Sequence, residues 1–298
     1  MKKPAKIIII IFLLLMILGG ILMVVYPVLS TMYYEKHHSE VVVEYDREVQ
    51  EKDTSEIDKI REAAQTYNAA LFRGDILPSE FEANGYFNLL NLSGNGLMGY
   101  IEIPCINVRL PVYHGVSEEV LQKGAGHMPP TSLPVGGINT HATISAHSGM
   151  ASMPMFTDLE LMEIGDIFYI HALGETLCYQ VEYINNRVDP NDVSDLQIQR
   201  GRDLVTLVTC TPVGVNTHRL IVRGVRTELP TQEQEVIAAA PETQEPQASV
   251  FYAMYVDGLI LALKLAVIPL VLTVVVIIII RRSNAKSPHR EDEGKKRK

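Results

Sequence analysis

Tryptophan is absent from this 298-residue chain, and cysteine occurs only three times. An odd set at Cys105, Cys178 and Cys210, without close spacing, excludes a disulfide framework and leaves at least one thiol free. Cys105 and Cys178 lie in apolar, strand-like runs and are expected to be small core residues. Basic charge is scarce in the middle. Residues 30–258 hold 14 Lys+Arg against 32 Asp+Glu, a balance of −18. Nucleic-acid binding is disfavoured, because a phosphate-binding surface is basic. The acidity reads as solubility at a cell surface. The six-residue spacing of His141 and His147 has no metal logic, and neither a metal nor a cofactor is expected.

Long apolar runs are confined to the two ends. Residues 7–29 follow Lys2, Lys3 and Lys6, and residues 259–280 precede Arg281 and Arg282. About 20 apolar residues at 1.5 Å rise match a hydrocarbon core about 30 Å thick. The first run is long for a signal peptide, and Tyr26-Pro27-Val28-Leu29-Ser30 offers no clear small-x-small cleavage site. A retained anchor is therefore expected rather than a cleaved leader. Eleven of the 26 basic residues lie in the two tips, opposed only by Glu291, Asp292 and Glu293. Both termini are expected on the cytoplasmic side, with the middle of the chain extracellular.

Between the runs the periodicity changes once. Ile57, Ile60, Ala64, Tyr67 and Leu71 recur at helical spacing within 32–73, giving one apolar stripe. From about 86 to 226, short strand-like runs alternate with Gly and Pro turns: 98–103, 108–113, 142–146, 167–172, 176–188, 204–209 and 219–226. Short helices are expected near 117–122 and 155–162. Residues 228–247, rich in Pro, Gln, Glu, Thr and Ala, read as a tether. The expected organisation is a cytoplasmic tip and anchor (1–29), a helical segment with a possible lid region (30–85) and a mainly β catalytic module (86–227). A linker (228–257), a second transmembrane helix (258–280) and a basic tail (281–298) follow. A closed barrel of about eight strands with short helices is the natural form for the module, since closure removes exposed edges.

One stretch carries chemistry. Cys210 ends an apolar strand, Arg219 opens the next, and His147 follows a third at 142–146. A thiol, an imidazole and a guanidinium at strand ends are the parts of acyl transfer through a thioester: nucleophile, proton carrier and oxyanion donor. Residue type alone leaves competitors, with His114, His127, His141 and His218 against His147, and Arg223 and Arg226 against Arg219.

At these residues the sequence resembles a family. Leu207-Val208-Thr209-Cys210-Thr211-Pro212, followed by Val215-Asn216-Thr217-His218-Arg219-Leu220-Ile221-Val222-Arg223-Gly224, is similar to the signature of sortases, in particular the pilin-polymerising class C. The likeness extends to 98–104, 110–115, 131–137, 140–147 and 156–159, and two terminal anchors fit that class. It implies a sortase-type barrel. It also implies that Cys210 is the nucleophile, His147 the acid/base partner and Arg219 the residue that positions the sorting motif and steadies the oxyanion. The implied enzyme is a membrane-anchored transpeptidase that cleaves an LPxTG-like signal of a pilin or surface protein. The acceptor amine is then a pilin lysine or, in other classes, a peptidoglycan precursor. A non-enzymatic surface adhesin or receptor is the alternative of a different kind. Three departures are visible. Residues 75–81 lack the Asp-Pro-aromatic sequence of a class C lid, Ser145-Ala146-His147-Ser148-Gly149-Met150 differs from the usual Thr-Gly-His-Arg-Gly-Leu, and Val213 stands where a tyrosine is common.

Overall fold

The computed structural model describes residues 3–77, 79–150 and 153–229. Eight strands close into a barrel in the order β1-β2-β3-β4-β7-β8-β6-β5. They are β1 Leu97–Ile103, β2 Val108–His114, β3 Ala125–His127, β4 Thr140–Ser145, β5 Ile167–Ala172, β6 Glu175–Val188, β7 Asp203–Thr211 and β8 His218–Arg226. The pairs β2·β3 and β4·β7 are parallel, and the other six are antiparallel. The expected mainly β closed barrel is thus observed. The one strand missing from the sequence reading is β3, whose three residues Ala-Gly-His are too short to show a period. The expected helix near 155–162 is a 3₁₀ turn, Thr157–Leu161.

The registers sort the strand ends into two rims. The upper rim collects the ends of β1, β4, β6 and β7 and the starts of β2, β3, β5 and β8. Between the rims, Ile101, Ile144, Phe168, Tyr179, Leu207 and Val222 fill the interior. Inward residues alternate with outward ones along each strand, as closure of a small barrel requires.

Among the described residues three α-helices accompany the barrel: α1 Lys3–Glu51, α2 Thr54–Arg73 and the single turn α3 Glu118–Leu121. Asp53 caps α2 by accepting from Ser55 N at 2.7 Å. Gly74, at φ +79°, stops it by donating to the carbonyls of Ala70 and Leu71, a left-handed geometry that favours glycine. The apolar stripe expected on α2 is buried at Ile57, Ala64 and Tyr67 against Tyr86, Met98, Leu133, Val135 and Leu173. Asn68 locks it there. Its Nδ2 donates to Leu133 O at 3.0 Å and its Oδ1 accepts from Leu133 N at 2.7 Å. Both α2 and the segment that follows lie toward the lower rim. Ile76, Phe81 and Tyr86 join that same cluster, so the expected lid region is seated away from the end of β7.

α1 runs through the first apolar block without a break. Among the described residues no helix is long and apolar enough to cross a membrane, so the expected first anchor is not established by the structure. The expected second anchor, tether and basic tail lie outside the described residues from 230 onward. The second half of α1 binds the barrel. Tyr45 Oη donates to Met98 O at 3.1 Å and accepts from Leu173 N at 2.9 Å, while Asp46 accepts from Tyr100 Oη at 3.1 Å.

One buried polar joint predicts acid sensitivity. His127 Nε2 lies 2.7 Å from Ser132 O, an acceptor, so that nitrogen carries the proton and Nδ1 accepts from Tyr86 Oη at 2.8 Å. Burial holds the His127 pKa down to about 4, with His114 adding a smaller lowering. As pH falls from about 6.5 to about 4, the unfolded chain takes up a proton that the folded chain refuses. Stability should therefore drop across that window, by on the order of 3 kcal/mol at most, and flatten below it. Urea unfolding at pH 7 and at pH 4.5 checks this, and His127→Gln should show a shallower loss than the wild type.

Candidate active site

The end of β7 and the start of β8 form an antiparallel pair in which Cys210 faces Arg219 directly. Opposed residues on neighbouring strands have Cβ atoms about 4.5–5.5 Å apart and side chains on one face. β8 can reverse so soon after β7 because the turn closes on itself: Val215 N and Asn216 N both donate to Pro212 O, at 3.0 and 2.9 Å. Asn216 takes the left-handed conformation, φ +61°, which asparagine tolerates.

His147 comes to the same rim on the neighbouring strand. β4 and β7 pair in parallel up to Ser145 opposite Val208. The pairing continues as Ala146 N donates to Val208 O at 3.2 Å and Thr209 Oγ1 donates to Ala146 O at 2.8 Å. Beyond His147, Ser148 Oγ donates to the carbonyl of Cys210 itself at 2.6 Å. The histidine loop and the cysteine strand end are thus tied together by two side-chain hydroxyls. Gly149 completes the joint. It sits at φ +74°, a left-handed conformation that favours glycine, and a Cβ there would stand 2.5 Å from Val213 Cγ1 unless that side chain shifted.

The three groups differ in how they are held. Cys210 and Arg219 are half-buried. The Arg219 guanidinium donates through Nη1 to its own turn, at His218 O (3.1 Å) and Asn216 O (3.4 Å). His147 Nε2 is buried without a hydrogen bond and lies 3.5 Å from Glu118 Oε1, which places it in ion-pair range of α3. Glu118 is 70% exposed, so water screens this contact heavily.

The competing residues are committed elsewhere. Arg223 is paired with Glu182 at 3.1 Å, and Arg226 stands 3.9 Å from Asp203 at the lower rim. His114, His127 and His141 are buried and hydrogen-bonded, His141 between Thr206 Oγ1 at 2.7 Å and Gln197 O at 2.9 Å. His218 is exposed beside Thr217. Cys178 is buried as expected, whereas Cys105 is exposed in the turn after β1, a correction to its expected core position. Desolvation pushes the thiol of Cys178 up, and that of Cys105 to about 11, with Asp166 adding to the latter. Neither offers much thiolate at neutral pH. The parts played by Ser148, Thr209 and Glu118 are not legible in the sequence, because they depend on which strands become neighbours. Among the described residues no group of His, Cys, Asp and Glu is placed to hold a metal ion. What the rim offers is a thiol beside a cationic fork with an imidazole on the adjoining loop, a set suited to acyl transfer.

Known proteins resemble this chain in sequence and fold. A family model described as the sortase domain matches residues 101–227. Among solved structures, sortase C1 from Streptococcus agalactiae is 42% identical with a TM-score of 0.61, the match covering 64% of this chain and all of that one. Sortase C from Streptococcus pneumoniae is 44% identical at TM-score 0.58, covering 64% of this chain and 97% of that one. Sortase C from Clostridium perfringens, solved with the C-terminal cell wall sorting motif, is 40% identical at TM-score 0.57, covering 64% and 99%. Among curated proteins, sortase A of S. agalactiae serotype III is 31% identical over 132 residues, which are 43% of this chain and about half (52%) of that protein. With a sortase barrel, a matching family model and class C structures covered from end to end, the chain belongs to the sortase family.

Proposed function

We propose that this chain is a membrane-held cysteine transpeptidase that joins pilin-like proteins. The single observation that carries the reading is the register of Cys210 against Arg219, with the His147 loop bonded to the same strand end. Cys210 gives its proton to His147, and its sulfur attacks the threonine carbonyl of an LPxTG-like signal. Arg219 donates to the oxygen on which negative charge builds. The C–N bond then breaks, the leaving amine takes the proton from His147, and the acyl group remains on Cys210 as a thioester. An incoming amine attacks the thioester, gives its proton to His147 and releases the Cys210 thiolate, leaving an amide bond.

One resemblance supports the pilin reading and another the sorting signal. The resembled S. pneumoniae enzyme is described in terms of pilin substrate specificity, and the C. perfringens enzyme was solved with a sorting motif. Attachment to a peptidoglycan precursor differs only in the amine. Membrane anchorage at the cell surface is proposed from residues 7–29, for α1 leaves Phe12, Leu15, Leu22 and Met23 exposed, Met23 at 81%. The test is product analysis by mass spectrometry. Full-length protein is incubated with an LPxTG-like peptide plus either a pilin-derived lysine peptide or an oligoglycine amine. Ligation to the lysine peptide supports the reading, whereas ligation to oligoglycine alone assigns wall attachment instead.

A further inference from the structure

α1 is a pointer as well as a tether. At Tyr45 it contacts Met98 and Leu173, near the lower rim. Seven residues earlier, about 10 Å back along the helix, buried His38 meets the backbone of Lys123, just ahead of β3 at the upper rim. Tyr34 then packs on the barrel core, and Thr31 is buried at 4% exposure. The helix therefore leaves the barrel at the rim that holds Cys210, His147 and Arg219. Its apolar block begins nine residues beyond His38, about 14 Å further on.

We propose that the catalytic rim of the barrel rests against the lipid bilayer surface, so that the site opens at headgroup level. This rests on the anchoring role given to residues 7–29 above. A headgroup layer is about 5–8 Å thick on each side of the hydrocarbon, which brings the rim to within about 10 Å of it. Tyr26 and Tyr33, both 68% exposed, flank the end of the apolar block on this side. Amphipathic rings at that depth are characteristic of a membrane interface. Around the site, Leu161, Ile164, Val213 and Val215 also present apolar surface, Val215 at 64%. Ile138 and Phe87 are exposed at the other rim, so apolar exposure alone does not orient the barrel. The direction of α1 does. A site at this level receives polypeptides that are themselves still held in the membrane, and it limits access for freely diffusing chains.

The absence of tryptophan makes the test clean, because each single substitution creates a lone reporter. Full-length Val215→Trp, Glu175→Trp and Leu22→Trp proteins are reconstituted in phosphatidylcholine–phosphatidylglycerol vesicles that carry nitroxide on the headgroup or the acyl chain. Circular dichroism confirms the fold of each. The expected result is that Val215→Trp loses most of its emission to the headgroup nitroxide, Leu22→Trp to the acyl-chain nitroxide, and Glu175→Trp loses none. Quenching of Leu22→Trp with none at Val215→Trp overturns the orientation while leaving the anchor intact. No quenching of Leu22→Trp overturns the anchoring reading, and the orientation with it.

Discussion

Replacing Cys210 with alanine should abolish both thioester formation and cleavage of an LPxTG-like peptide, with turnover falling by at least about 10³-fold. Alanine leaves no atom that can carry the acyl group, and the other two thiols cannot substitute. Cys178 is buried, and the Cys105 thiol sits at about 11 in a turn after β1. The fold should persist. Cys210 is only half-buried, and the hydrogen bond that ties its strand end to the histidine loop uses its backbone carbonyl, which alanine retains. Intact-protein mass spectrometry after incubation with peptide is the measurement. An acyl adduct on the variant, or peptide cleavage at the wild-type rate, would falsify the assignment of the nucleophile.

Arg219→Lys should be nearly as damaging, lowering kcat by about 10²–10³-fold. The positive charge survives this change, so the loss isolates geometry. Guanidinium is a planar fork whose nitrogens are fixed relative to one another, and here Nη1 is already held by two carbonyls of its own turn. A lysine ammonium is a single point on a flexible stem. It can occupy those carbonyls or face the developing oxyanion, but it cannot do both. KM should change less than kcat, because the interaction strengthens as charge builds on the oxygen. Arg223→Lys provides the contrast. That side chain is paired with Glu182 on β6 and should affect stability more than rate.

The sequence reading named most of the barrel because seven of the eight strands are apolar runs bounded by turn residues. β3 escaped for want of length, and its existence depends on pairing with Tyr113 and His114 on one side and with Ile144 and Ser145 on the other. The possible lid region is a different case. Residues 75–81 occupy the right place in the chain, but Ile76 and Phe81 are apolar and find their burial beside α2, Tyr86 and Met98. Hydrophobic burial is not directional, so the fold and not the chain order decided which surface they cover.

Residue chemistry and local pattern pointed to the family: a free thiol at a strand end, an acidic body and a resemblance carried by the residues around Cys210. Choosing among five histidines and three arginines was beyond local pattern. A histidine becomes a buried hydrogen-bonding post or a half-exposed group at a rim according to the level its strand reaches when the barrel closes. Folding buried His127 and His141, paired Arg223 and Arg226 with carboxylates, and left His147, Cys210 and Arg219 together at one rim. The arrival of His147 beside Cys210 depends on register between strands more than 60 residues apart in the chain (Ser145 with Val208), which no local pattern contains.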